Sequence, residues 1–426
     1  MRRWRVHSAL LAWMVGAAPA WSAVAVDRGL LPEPPAPPVA TPGTPAPELL
    51  AALVEHSRLA LPLQEGRLGG AGGERWRVLA AASSHVVFGE QHGNAGIAAV
   101  ARAMWDDLAA GGWRHAAFEV DPYAAAAFVQ ARQNGGTAGW ARFLAAAGGS
   151  VTVPFLGWAE EAALAAAVPE PWGLDQVFID SAERLLRELL ARPDNGLPPG
   201  ARAQVQAFVQ EAAQSPGWLG RVEPERLSRA AEAAEPDSPA KHLLQALHES
   251  ALIYAPFSGG DGEPTTANAR REQAMKLRFV AGLQRSETAT GRVPRVFVKV
   301  GAYHAMRGAT PTGVQGLGGF VTELAAARGE AVLTVVVLCG PGSFAALHGG
   351  GQQPCDDTLR AGGDWQFLRP WVDGRHPVMF DLRTWRLRPR RLQGLPAEVL
   401  RVVGSFDLLV FAPMAPAATP LAPAPP

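Results

Sequence analysis

The chain lacks any excess of charge: 39 Lys and Arg face 39 Asp and Glu over 426 residues. Such a balance gives no long-range pull on nucleic acid or an anionic membrane. Beyond the N-terminus no apolar run approaches the roughly 20 residues of a transmembrane helix. Several catalytic signatures are missing too. There is no G-x-S-x-G elbow, no H-E-x-x-H helix, no Walker A loop and no G-x-G-x-x-G after a strand. A serine hydrolase, a zincin and a nucleotide enzyme are each disfavoured. No repeat of solenoid type is present. Cysteine is limited to Cys339 and Cys355. In an oxidising compartment they would close a short Gly-rich loop; as free thiols they have no metal or redox pattern around them. Neither lies near the N-terminus, so a lipid anchor on a mature N-terminal Cys is excluded.

The rest of the composition is that of a globular protein, with 48% hydrophobic and 18% charged residues. Arg2, Arg3 and Arg5 precede a short apolar stretch. Ala18-Pro19-Ala20 and Ala23-Val24-Ala25 then fit small-x-small cleavage sites. Residues 1–25 read as a secretory signal peptide, which implies a periplasmic or secreted protein without a stable membrane anchor. Residues 26–47 are Pro-rich and read as an extended linker. Residues 412–426, mostly Pro and Ala, read as a disordered tail. The folded part is then 48–411.

Inside it, short β-branched runs alternate with helical patterns. Strands are expected at 84–88, 115–119, 172–174, 295–300, 332–338 and 406–411. Ile97, Val100, Met104 and Leu108 share one helical face between the first two. Near-continuous apolar strands separated by helices predict an α/β fold, with a mainly parallel central sheet flanked by helices. Residues 181–257 carry almost no strand signal and read as a helical insertion or cap.

Chemistry-bearing residues collect at the ends of these strands. The run Val86-Val87-Phe88 enters Gly89-Glu90-Gln91-His92. The next strand ends Phe118-Glu119, a third Gly173-Leu174-Asp175, and a fourth passes from Val300 into Gly301-Ala302-Tyr303-His304. Ligands in open α/β sheets bind outside the carboxyl ends of the strands. Two Gly-x-x-His turns with acids at two further strand ends therefore predict one shared site, provided the strands leading to His92 and Glu119 are neighbours. His56, His85, His115, His242, His248, His348 and His376 have no such context and read as structural or surface residues.

At these residues the chain resembles the superfamily of erythromycin esterase-like proteins, ChaN-like haem-uptake proteins and the TraB/Tiki group. The resemblance runs through Gly89-Glu90-Gln91-His92, Glu119, Arg271-Glu272-Gln273-Ala274-Met275 and Gly301-Ala302-Tyr303-His304. Where erythromycin esterases carry a His-Asn-x-His sequence, Gly301 stands at the first His, a form closer to the other two branches. The resemblance implies hydrolysis of an ester or related bond in a small-molecule or peptide substrate, without cofactor or covalent nucleophile. His92 would be the base, oriented by Glu90 or Glu119, with His304 and Arg271 stabilising the oxyanion. Asp175, Glu272 and Tyr303 would help bind substrate. Two further readings come with the same residues. His92, Glu90, Glu119 and His304 would hold a divalent metal in a Tiki/TraB-like peptidase. In a ChaN-like binder, His92, His304 or Tyr303 would meet haem iron or line a ligand pocket.

Overall fold

A computed structural model describes residues 30–37, 46–149, 152–348 and 350–421. Residues 1–25, expected to be a signal peptide, lie outside the described residues. Among these, no helix is long and apolar enough to cross a membrane.

The central sheet has eight strands: β1 (Arg58–Ala60), β2 (His85–Glu90), β3 (His115–Phe118), β4 (Glu170–Gly173), β5 (Val296–Gly301), β6 (Val332–Leu338), β7 (Val378–Asp381) and β8 (Leu408–Phe411). Their spatial order is β1-β7-β8-β6-β2-β5-β3-β4. From β8 to β4 every pair is parallel; β7 and β1 add on antiparallel at one edge. Helices cover both faces. One apolar cluster joins Phe88, Phe297 and Leu333 to helix α1 (Ala95–Ala110) and its neighbours. The other joins Val87, Val298 and Val336 to the long helix α2 (Pro264–Thr290). Burial on both faces is why β2, β5 and β6 are apolar throughout apart from Lys299, Thr334 and their end residues. The two antiparallel edge strands, Val378–Asp381 and Arg58–Ala60, were not among the strands expected.

The segment 181–257 folds into four helices, Ala182–Ala191, Pro199–Gln214, Pro224–Ala233 and Pro239–Tyr254. They enclose a separate cluster around Leu186, Phe208, Leu227 and Leu244. Three of them begin with Pro, whose missing N–H costs nothing in a first turn.

One terminal segment departs from expectation. Residues 412–421, expected as part of a disordered tail, form a strap. Ala418 N–H donates to the Gly93 carbonyl (2.7 Å), Leu421 N–H to Gly157 (2.8 Å), and Ala159 N–H to Thr419 (2.7 Å). Asn94 secures it twice over. Its side-chain oxygen caps α1 through Ile97 N–H, while its amide donates to the Ala415 and Pro416 carbonyls. With no charged side chain to solvate, the strap meets its backbone needs by pairing with these loops. Part of the 26–47 linker is also tied down: the Pro32 and Glu33 carbonyls accept from Arg383 and Arg75. A disulfide joins Cys339 to Cys355.

Candidate active site

The carboxyl ends of β2, β5 and β3 lie side by side, with β5 in the middle. Glu90 is in register with Gly301, and Phe118 with Lys299. The strands bearing Glu90 and Glu119 are therefore not neighbours, contrary to the expectation that a shared site needs adjacent strands. The two acids still share one site because the residue between them is glycine. A Cβ at Gly301 would stand 2.7 Å from His92 Nε2 and 3.4 Å from Glu119 Oε2. The missing side chain is the space across which His92 and Glu119 face each other.

The result is nearly symmetric about Glu119. His92 Nδ1 lies 3.0 Å from Glu90 Oε1, and its Nε2 lies 3.6 Å from Glu119 Oε2. His304 Nδ1 lies 2.6 Å from Glu272 Oε1, and its Nε2 lies 3.5 Å from Glu119 Oε1. Each imidazole thus has an outer carboxylate that fixes its tautomer and an inner nitrogen aimed at a common acid. Glu119 accepts from Arg271 Nη2 (2.8 Å) and from the Gly301 N–H. Arg271 also grips Asp175 through Nε (2.9 Å) and Nη2 (2.6 Å). Adjacent residues Arg271 and Glu272 of α2 both reach the site, which explains their tandem placement on the helix.

Sequence reasoning missed three participants. Lys299, on β5, is 4% exposed and holds Glu90 Oε1 (2.6 Å) together with Glu161 Oε2 (2.8 Å). A lysine inside the run Val296-Phe297-Val298-Lys299-Val300 was the available signal, since a fully buried Lys requires partners. Glu161 sits in an Ala-rich helix, Ala159–Ala167, where nothing marks it out. His348, read as structural or surface, is exposed and stands over the cluster. It stacks on Trp158 (5.1 Å) and meets Phe155 edge-on (5.1 Å), and Phe155 in turn lies 4.4 Å from the His92 ring. Tyr303, by contrast, is 48% exposed, and its hydroxyl makes no hydrogen bond among the described residues. His85 behaves as expected of a core histidine: burial first, then Arg328 and Arg295, push its pKa down to about 4.

The electrostatics follow from five carboxylates meeting two permanent cations, Lys299 and Arg271. Burial opposes charge on His92, but Glu119 and Glu90 outweigh it and raise its pKa above the ordinary histidine value. Burial would raise Glu119, but His304, His92, Arg271 and the Gly301 N–H together hold it down at about 2. Lys299 stays charged despite burial because Glu161 and Glu90 face it. Of those two acids, Glu90 is held low against its burial by Lys299 and His92, whereas burial wins at Glu161 and its pKa rises.

A resident metal needs several free donors converging on one point. Here the cations Lys299 and Arg271 already occupy the carboxylates, and each His Nδ1 faces its own acid. Among the described residues no group of three or more His, Cys, Asp or Glu is arranged to hold a metal ion. The void bordered by His92, Glu119 and Lys299 measures about 10 Å³, too small to hold haem.

No sequence-family model matches the chain, and no curated protein matches it in sequence. Solved structures do match in fold. An erythromycin esterase, EreC, in a His-to-Asn variant and an open conformation, has a TM-score of 0.57 at 12% identity. The match covers 84% of this chain and 98% of that one. The chain has the erythromycin esterase fold. A Bacillus cereus protein is similar, with a TM-score of 0.54, 13% identity and coverage of 88% and 98%. So is a protein described as a succinoglycan biosynthesis protein, with a TM-score of 0.55, 12% identity and coverage of 88% and 99%. At such identities the likeness is one of fold, and it agrees with the superfamily resemblance carried by the strand-end motifs.

Proposed function

We propose that this chain is a hydrolase that activates water at His92 to cleave an ester or related acyl bond. The observation that carries the reading is the pair of imidazoles bracketed by Glu90, Glu119 and Glu272 at the carboxyl edge of the sheet. Glu90 accepts the His92 Nδ1 proton, which leaves Nε2 as the basic nitrogen. The void beside it, lined by Glu90, Glu119, Glu161 and Lys299, is the size of one water molecule. As water attacks the substrate carbonyl its proton moves to Nε2, and the ionised Glu119 stabilises the imidazolium that forms; collapse of the tetrahedral adduct then breaks the acyl C–O bond, and Nε2 returns the proton to the leaving alkoxide. The Arg271 Nη1 group, outside its contacts with Asp175 and Glu119, donates to the developing oxyanion, while Glu272 and Glu119 hold the His304 ring at its side. Lys299 positions Glu90. No step of the proposed reaction runs through a metal. The likeness to an erythromycin esterase is consistent with an ester substrate.

The proposal includes export. The Arg-led apolar N-terminus and the Cys339–Cys355 bridge both suit an oxidising compartment outside the cytoplasm. The direct test is a panel of p-nitrophenyl esters, lactones and thioesters assayed with the purified protein. Turnover of at least one is expected; inertness toward all of them would overturn the proposal.

A further inference from the structure

A second, larger cavity, of about 400 Å³, opens beside the His92 cluster. Its walls come from the loop carrying Phe155 and Trp158, the loop carrying Leu347 and His348, and the strap residues Ala418 and Thr419. Among the described residues no Lys, Arg, Asp or Glu lines it. Its titratable side chain there, His348, is exposed and packs against Trp158 and Phe155. Phe155 borders both this cavity and the small void at His92. Its backbone lies in the left-handed region, with φ 58, which bulky residues rarely adopt. Such strain persists where the surroundings enforce it, commonly at functional sites. Here the rings of His92, Trp158 and His348 hold Phe155 in place. The loop bearing His348 is itself closed by the Cys339–Cys355 bridge.

We propose that this cavity receives the apolar, uncharged arm of the substrate whose acyl carbon is attacked at His92. The substrate class is then a neutral ester with a sizeable hydrocarbon group. The inference rests on the hydrolase reading and deepens it. Three walls from distant parts of the chain, a lining without acidic or permanently charged side chains, and Phe155 as a wall shared with the void at His92 are what carry it.

The test compares p-nitrophenyl acetate, butyrate and octanoate in wild-type and Leu347→Asp proteins, with calorimetric binding of octyl methyl ketone, which has no bond to hydrolyse. Leu347 is 41% exposed, so the substitution places a charge in the wall at little risk to folding. In wild type, kcat/KM should climb by about fourfold for each added methylene until the cavity fills. In Leu347→Asp the octanoate-to-acetate ratio should collapse, and the ketone should bind more weakly. Trp158→Ala should lower the same ratio. A wild-type protein indifferent to chain length, or a Leu347→Asp protein with the wild-type ratio, would overturn the inference. If no ester is hydrolysed, the hydrolase reading fails and ketone binding decides the cavity: binding weakened by Leu347→Asp supports an apolar site, and absent binding refutes it.

Discussion

Gly301→Ala adds one methyl group and should disable the site while sparing the fold. Gly301 has φ −57 and ψ 150, a conformation open to any L-residue, so the backbone does not resist the change. The obstacle is contact. The new Cβ would lie 2.7 Å from His92 Nε2 and 3.3 Å from its Cε1, whereas such atoms rest at about 3.5–4.0 Å. His92 must withdraw by about 0.8 Å or more to relieve the contact. A displacement near 1 Å of a reacting group costs about 10²-fold in rate, and overpacking costs roughly 1–3 kcal/mol of stability. The assay is kcat/KM on the best p-nitrophenyl ester together with a urea unfolding curve. A folded protein with about a hundredfold lower kcat/KM is expected. A Gly301→Ala protein of near full activity would show that the His92–Glu119 juxtaposition is not what the reaction uses.

Other perturbations test other parts of the account. His92 acts as a base only when deprotonated, and its pKa is raised by Glu119 and Glu90. The acid limb of kcat/KM should therefore lie above pH 6.5, the usual His value; a limb below that would refute the assignment. The same raised value means that His92 contributes stability fully present below pH ~6.5 and lost as pH climbs through the folded pKa. Lys299→Met strands Glu90 and Glu161 in the interior. It should cost about 3–5 kcal/mol in urea unfolding, the range for breaking a buried ion pair from one side, and adding Glu161→Gln should recover part of it. Reduction of the Cys339–Cys355 bridge, which spans 16 residues of sequence, should lower unfolding free energy by about 3 kcal/mol, with no change in a Cys339→Ser/Cys355→Ser double variant.

Much of the scaffold could be read from the chain because parallel strands buried on both faces appear as apolar runs, and their Gly-led exits mark the edge where chemistry collects. His92, His304, Glu90 and Glu119 were visible for that reason. Glycine at 301 was visible too, but its meaning was not. Only strand order shows that β5 separates Glu90 from Glu119 and that the absent side chain reunites them. Glu161 and His348 were silent because tertiary packing, not local pattern, brings an Ala-rich helix and a disulfide-closed loop to the site. The strap at 412–421 was misread because Pro and Ala composition reports a lack of intrinsic structure, whereas its order comes from partners such as Asn94 and Gly93.

The central claim is that a single imidazole activates water, and the direct measurement is kcat/KM of His92→Ala beside wild type, with thermal melting of both. Loss of a positioned general base should lower kcat/KM by about 10²–10⁴-fold with the melting transition retained. A His92→Ala protein that melts like wild type and hydrolyses its ester at the wild-type rate would contradict the claim.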